Sequence, residues 1–72
     1  MTYGAMIYDH DNDRWIVETG DTVYGLHCGE GFELIIGSHR IPCRLELGVE
    51  WYIIMENVSL ILRTRDTYKV TI

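Results

Sequence analysis

The chain has 72 residues, 47% of them hydrophobic, and its 11 acidic against six basic side chains give a formal net charge of −5. This length supplies one hydrophobic core, so we expect a single domain over residues 1–72. The negative charge argues against binding to nucleic acid, which depends on many lysine and arginine side chains, and no apolar run approaches the roughly 20 residues of a membrane helix.

Short runs with an apolar residue at every second position recur between turn residues, and this period predicts β-strands. In chain order, the first strand covers residues 3–8, a turn rich in Asp covers 9–13, and the second strand covers 14–18. These two strands form a predicted hairpin, because Asp and Asn favour tight turns. A third strand is predicted over residues 22–28.

The second half of the chain continues the pattern with five more predicted strands. They cover residues 32–36, 40–47, 51–55, 58–65 and 68–72. In the strand over 40–47, four apolar residues point to one face, and the other face holds Arg40, Pro42, Arg44 and Glu46. Pro42 within it cannot donate a hydrogen bond to a neighbouring strand, so we expect this strand at an edge of the sheet or at a bulge.

These elements predict an all-β fold, a small antiparallel meander of about six to eight short strands that closes into an SH3-like barrel or a strongly curled sheet. Alternation assigns nine residues to the inner face of this sheet. They are Trp15, Tyr24, Leu26, Phe32, Leu34, Ile41, Cys43, Leu45 and Leu60.

The first turn has the spacing Asp9-x-Asp11-x-Asp13, which also opens calcium-binding loops. A calcium loop would continue with a glycine and, at its twelfth position, a glutamate. Arg14 and Gly20 stand at those positions. We therefore interpret the three carboxylates as parts of a hairpin turn.

A second set of residues, His27, Cys28, His39 and Cys43, has the ligand types of a zinc site. His27 and Cys28 are neighbours on a predicted strand, so their side chains leave opposite faces and do not converge on one ion. We expect both cysteines to be buried thiols on the inner face. A catalytic thiol needs an exposed pocket and a nearby base, so we predict that the chain is not an enzyme. We also predict no metal and no cofactor.

A surface is the better candidate for a functional site. Arg44 and Glu46 share the outer face of their strand, and His27 is expected to point outward from its own strand. Interfaces are enriched in Tyr, Trp and Arg, although one of the neighbours Trp51 and Tyr52 must face the core. The predicted binding residues are His27, Glu30, Arg40, Arg44, Glu46, Trp51 and Tyr52.

Two segments carry a resemblance, Leu-His-Cys-Gly-Glu over residues 26–30 and Ile-Pro-Cys-Arg-Leu-Glu over 41–46, followed by Trp51 and Tyr52. They resemble a family of small uncharacterised β-rich domains from Gram-positive bacteria and their phages and integrative elements. The resemblance runs nearly the full length of the chain. It implies a bacterial cytosol and a mobile-element setting, and it brings no assigned activity.

The sequence thus favours a noncatalytic, cytoplasmic interaction module that binds another protein or a second copy of itself. An inhibitor or accessory protein encoded by a mobile element would fit this description by analogy. The alternative is a small-molecule binder that holds a nucleotide or another metabolite near His27, Arg40 and Arg44. No signal peptide is recognisable at the N-terminus, and we expect neither nucleic acid nor membrane as a partner.

Overall fold

Eight β-strands and no helix make up the chain, and a computed structural model describes all of residues 1–72. The strands are β1 Tyr3–Asp9, β2 Arg14–Glu18, β3 Val23–Gly25, β4 Gly31–Ile36, β5 His39–Leu47, β6 Trp51–Met55, β7 Val58–Ile61 and β8 Tyr68–Thr71. The all-β prediction is confirmed. None of the elements is a helix long and apolar enough to cross a membrane.

All eight strands form one antiparallel sheet in the order β3-β2-β1-β8-β4-β5-β6-β7. The strands β1 to β3 and β4 to β7 are two meanders, whereas the sequence predicts a single one. The last strand departs from a simple meander, because β8 lies between the two and joins them. Ala5 of β1 stands opposite Lys69 on one side of β8, and Leu34 of β4 stands opposite Val70 on the other.

The sheet is not closed into a barrel, since β3 and β7 are its two ends, and the SH3-like barrel is therefore not confirmed. One face nevertheless buries Trp15, Leu45 and Ile53 completely. No helix covers that face, so the sheet must curl until its two halves cover each other. A direct link between the halves joins β6 to the first turn, where Trp51 Nε1 donates to Asp13 Oδ1 at 3.5 Å.

The core consists of eleven buried residues between the two halves of the sheet. They are Met6, Trp15, Val17, Leu26, Phe32, Leu34, Cys43, Leu45, Ile53, Leu62 and Val70. Six of the nine residues predicted for the inner face are among them, and Ile41 is half-buried. Tyr24 and Leu60 lie on the inner face as predicted, opposite Val17 and Ile53, but 45% and 37% of their surface is exposed. They lie on β3 and β7, where no further strand covers them.

Two predicted strands are shorter in the structure. The strand predicted over 22–28 ends at Gly25, and after one more hydrogen bond, from Leu26 N to Trp15 O, the chain enters a loop. Cys28 lies exposed in this loop, so its assignment to the buried inner face is wrong. The strand predicted over 58–65 ends at Ile61.

Pro42 lies on a strand inside the sheet, yet it costs no hydrogen bond. Leu45 N donates to Glu30 O, and Leu45 O accepts from Gly29 N, so odd-numbered β5 residues direct their backbone groups towards β4. The nitrogen of Pro42 points to the other side. There β5 extends beyond its partner, because its first residue paired with β6 is Arg44. The sheet edge that Pro42 predicts is therefore limited to the start of β5, where β6 does not reach.

Candidate functional site

The end strand β7 is exposed along its whole length. It follows β6 after the turn Glu56-Asn57, and all four of its residues are exposed. Three of them are apolar. Val58 and Leu60 lie on the same face as the core residue Ile53, whereas Ile61 lies on the outer face. The strand therefore offers apolar side chains on both faces beside an open edge.

The backbone groups that point away from the sheet belong to Ser59 and Ile61. Just after β7, Leu62 N donates to Trp51 O at 2.9 Å, so even-numbered residues of this segment direct their backbone groups towards β6. Odd-numbered residues direct theirs to the opposite side, where no strand follows. Ser59 and Ile61 thus present two N–H donors and two C=O acceptors to a partner.

The two ends of β7 carry opposite charges. Glu56 lies exposed in the turn before the strand. After the strand, the exposed Arg63 and Arg65 line an open cleft of about 460 Å³, together with Thr64 and one acidic residue, Glu50. Neither arginine takes part in the ion pair of Arg44 with Glu46 or in the contact of His27 with Glu30. The cleft is therefore a place for an anionic group.

Part of the predicted binding surface is continuous with β7. Glu46, Tyr52 and Ile61 stand opposite one another in a single row across β5, β6 and β7 on the outer face. Arg44 joins the row through a hydrogen bond from its Nε to Glu46 Oε2 at 2.6 Å. Three predicted residues thus form an outer surface that leads directly to the open edge.

The loop between β3 and β4 holds His27 between two charged residues. Its Nδ1 lies 3.3 Å from Glu30 Oε1, and its backbone N–H donates to the same oxygen at 3.1 Å. Arg14 Nη2, which the sequence reasoning missed, lies 3.3 Å from His27 Nε2. Because arginine can only donate, this arrangement places the proton of a neutral imidazole on Nδ1, towards the carboxylate.

This loop is attached to β5 next to the row on the outer face. Gly29 N donates to Leu45 O at 2.7 Å, and Leu45 N donates to Glu30 O at 3.0 Å. Leu45 stands between Arg44 and Glu46 in the chain. The structure therefore contains two contacting pairs of predicted site residues, His27 with Glu30 and Arg44 with Glu46, on segments that are joined by backbone hydrogen bonds.

Two other predicted residues, Trp51 and Arg40, lie away from these pairs. Trp51 lies on the inner face, half-buried against the core, whereas its neighbour Tyr52 faces outward. Arg40 is four residues from Arg44 along β5, or about 13 Å at the rise of an extended strand. Its guanidinium contacts the sulfur of Met1. Arg40 therefore lies apart from Arg44 on the same strand.

Two of the three aspartates of the first turn, Asp9 and Asp13, accept hydrogen bonds with their carboxylates. Asp9 accepts from Asn12 Nδ2 at 2.8 Å and from Asp11 N at 3.1 Å. The hydrogen bond from Asn12 is the main cause that lowers the pKa of Asp9 below its usual value. Asp13 accepts from the hydroxyl of Tyr8. No group of three or more His, Cys, Asp or Glu side chains converges as metal ligands would.

The two cysteines differ in exposure and are not bonded to each other. Cys43 is buried and Cys28 is exposed. Burial raises the pKa of the Cys43 thiol to about 11, so it is protonated at neutral pH and is a poor nucleophile.

The predicted binding residues include neither β7 nor Arg63 and Arg65, although a strand was predicted over residues 58–65. Residues 58–62 hold four apolar residues on both faces, but Trp51–Met55 is apolar on both faces too and is half-buried or buried. This pattern therefore does not single out the segment. It also cannot show that the strand ends the sheet, because strand order depends on pairing between distant segments.

Comparisons with known proteins extend over nearly the whole chain. The family model of a domain of unknown function, DUF5348, matches residues 4–72. A crystal structure of a protein from Ruminococcus gnavus is 32% identical, with a TM-score of 0.79, over 97% of this chain and 99% of that chain. No curated protein matches. The expected likeness to an uncharacterised family with a Gram-positive member is confirmed.

Proposed function

We propose that this chain, which belongs to the DUF5348 family of domains of unknown function, is a noncatalytic module that binds another protein. One observation carries the proposal, the exposed apolar strand β7 with its open edge. Monomeric proteins usually protect such edges with a lysine, a proline, a bulge or a covering loop. β7 contains neither lysine nor proline.

Binding would use strand addition, in which an extended segment of the partner pairs with the edge of the sheet. The backbone groups of Ser59 and Ile61 would supply main-chain hydrogen bonds. Specificity would come from the side chains on either face, with Val58 and Leu60 on one side and Ile61 beside Tyr52 on the other.

The proposal includes the setting that the sequence favours. A bacterial cytoplasm suits two unpaired thiols, because cytosolic disulfides are rare. A role as an inhibitor or accessory protein of a mobile element is the form of this function that the family resemblance suggests. Protein partners rather than nucleic acid suit the acidic charge of the chain.

Two matched variants test the open edge. Ile61 and Val23 are β-branched residues on the outer face of the two end strands, and they are 57% and 58% exposed. Lysine protects strand edges, so Ile61→Lys should block partner binding at β7, whereas Val23→Lys leaves that edge open. Both variants should retain the circular dichroism spectrum and melting temperature of the wild type within a few degrees.

The measurement is affinity capture by the tagged chain from a lysate of the bacterium that encodes it, with the bound proteins quantified by mass spectrometry. We expect a stoichiometric protein with the wild type and Val23→Lys, and at least a tenfold loss with Ile61→Lys. Equal capture by both variants, or no stoichiometric protein with the wild type, would refute the binding of another protein at β7.

A second candidate function is supported by the cleft behind β7. Arg63 and Arg65 lie there without ion-pair partners, and arginine suits phosphate and carboxylate groups. This location differs from the expected one near His27, Arg40 and Arg44. Calorimetric titration with ATP and with inorganic phosphate tests it. Binding that Arg63→Gln weakens tenfold would support a metabolite site, and the absence of binding at millimolar ligand would exclude both ligands.

A further inference from the structure

The charges around β7 are arranged so that an antiparallel copy of the strand would complement them. The turn before the strand carries Glu56, and the segment after it carries Arg63 and Arg65. Antiparallel pairing of two identical strands places the start of each beside the end of the other. Glu56 of each copy would then lie near the two arginines of its partner. The cleft carries a net positive charge, because its two arginines are accompanied by one carboxylate, that of Glu50.

The free backbone groups of β7 select one register for such pairing. The two sheets form one continuous sheet only if each residue pairs with a residue that points to the same face. With Ser59 opposite Ile61 of the other copy, both N–H donors and both C=O acceptors of each strand are satisfied. Two such pairs of two bonds give four intermolecular hydrogen bonds. The two-fold axis then passes between the two copies of Leu60.

The neighbouring registers fit less well. Pairing Ser59 with Ser59 would place the turn residue Asn57 opposite Ile61. Pairing Ile61 with Ile61 would require the backbone N–H of Arg63, which already donates to Tyr68 Oη at 2.9 Å. The register centred on Leu60 uses the free groups of β7 and no others.

We infer that β7 binds a second copy of this chain, as an antiparallel β7 to β7 pair with its two-fold axis at Leu60. The inference rests on the proposed function, since it names the partner of the same edge. The dimer buries the exposed Leu60 side chains against each other and extends the outer row of Glu46, Tyr52 and Ile61 across the interface. It also seats Glu56 of each copy beside the arginine cleft of the other.

Engineered cysteines test the register. In an antiparallel pair, residues opposite each other without hydrogen bonds have Cα atoms about 4.5 Å apart, within the range that a disulfide spans. Leu60 would meet its own copy at such a position, whereas two copies of Ile61 would be offset by two residues along the strands. Leu60→Cys and Ile61→Cys are therefore a matched pair, made in a Cys28→Ser background because Cys28 is exposed.

Under mild oxidation with glutathione disulfide, which is reduced to two glutathione thiols as the protein disulfide forms, Leu60→Cys should give at least tenfold more disulfide-linked dimer than Ile61→Cys on a non-reducing gel. Equal cross-linking of the two variants, or none with Leu60→Cys, would overturn the register. Circular dichroism of both reduced variants shows whether they fold as the wild type does.

Charge reversal tests the second element of the interface. Analytical ultracentrifugation of the wild type should show a concentration-dependent dimer. Glu56→Lys should raise the dissociation constant about tenfold, because it places a lysine beside Arg63 and Arg65. The double variant Glu56→Lys with Arg63→Glu should restore the affinity to within about threefold of the wild type.

The outcomes separate this inference from the proposed function. A wild type that stays monomeric at millimolar concentration overturns the dimer, and capture of a bacterial protein that Ile61→Lys abolishes would still support binding at β7. A dimer that survives Ile61→Lys also overturns the inference, because it must use another surface. A dimer that Ile61→Lys abolishes supports it, even when no bacterial protein is captured.

Discussion

The guanidinium of Arg14 lies directly over Gly25, where an added Cβ would stand 2.7 Å from Nη2. Glycine at this position leaves room for Arg14 to reach His27. The missing side chain opens the outer face of β3 to an arginine from β2.

Gly25→Ala should therefore change the free energy of unfolding little, whereas Gly4→Ala should lower it clearly. A Cβ at Gly25 meets the flexible end of an arginine, which can move, and we expect a change of about 0.5 kcal/mol in the free energy of unfolding. A Cβ at Gly4 meets Val17 Cγ1 at 2.6 Å and Glu18 O at 2.9 Å. Backbone cannot yield so easily, and such overpacking costs about 1–3 kcal/mol. Urea denaturation of both variants checks the contrast, and equal losses would contradict it.

Glu56→Gly should stabilise the monomer. Glu56 has a φ of 56°, a left-handed conformation that glycine adopts without the steric cost of a side chain. We expect a gain of about 0.5 kcal/mol after the larger entropy of glycine in the unfolded chain is subtracted. Asp13 has a φ of 50° but accepts a hydrogen bond from Tyr8, so Asp13→Gly should show no such gain. Thermal melts at low protein concentration measure both.

Stability should fall in alkaline solution because of Cys43. Burial raises the pKa of its thiol from 9.0 to about 11, so the unfolded chain loses this proton first as the pH rises. This thiol therefore leaves the free energy of unfolding unchanged below pH 9, and between pH 9 and 11 it lowers it by about 2 kcal/mol. Urea denaturation across this range should show the slope in the wild type and a smaller one in Cys43→Ala.

The two thiols should also differ in reactivity. Cys28 is exposed and Cys43 is buried, so a thiol reagent should modify one cysteine of the native protein rapidly and the second after unfolding in guanidinium. Cys28→Ser should remove the fast phase. Two fast phases in the native wild type would contradict the burial of Cys43.

Thr71 should tolerate serine better than valine. Its hydroxyl is buried and donates to Glu33 Oε1 at 2.7 Å, which links β8 to β4. Thr71→Val removes this donor and should cost about 1–2 kcal/mol, whereas Thr71→Ser keeps it and should cost less. Chemical denaturation of the two variants gives the comparison, and a more stable Thr71→Val would show that the hydrogen bond contributes nothing.

The sequence predicts those parts of the fold that depend on neighbouring residues. Turns such as 9–13 and the alternation in β5 are local, so Trp15, Leu34 and Leu45 were assigned correctly to the core. The third strand was predicted too long, because Leu26 continues the alternation and still bonds to β2 before the chain turns.

The rest depends on pairing between distant segments. An alternating strand such as β8 could pair with several partners, so its place between β1 and β4 was not predictable. The candidate site shows the same limit. Arg44 and Glu46 share a face by local alternation and were found, whereas Arg14 reaches His27 only through the pairing of β2 with β3.

The fold cannot be completed before β8 is available, because this strand joins the two meanders. Tyr3 of β1 pairs with Thr71 of β8, 68 positions away in the sequence, and long closures of this kind slow folding. During synthesis, the two meanders can form as separate hairpin units but cannot share a core until residues 68–71 exist. The growing chain therefore exposes its apolar faces until nearly all of these residues have been made.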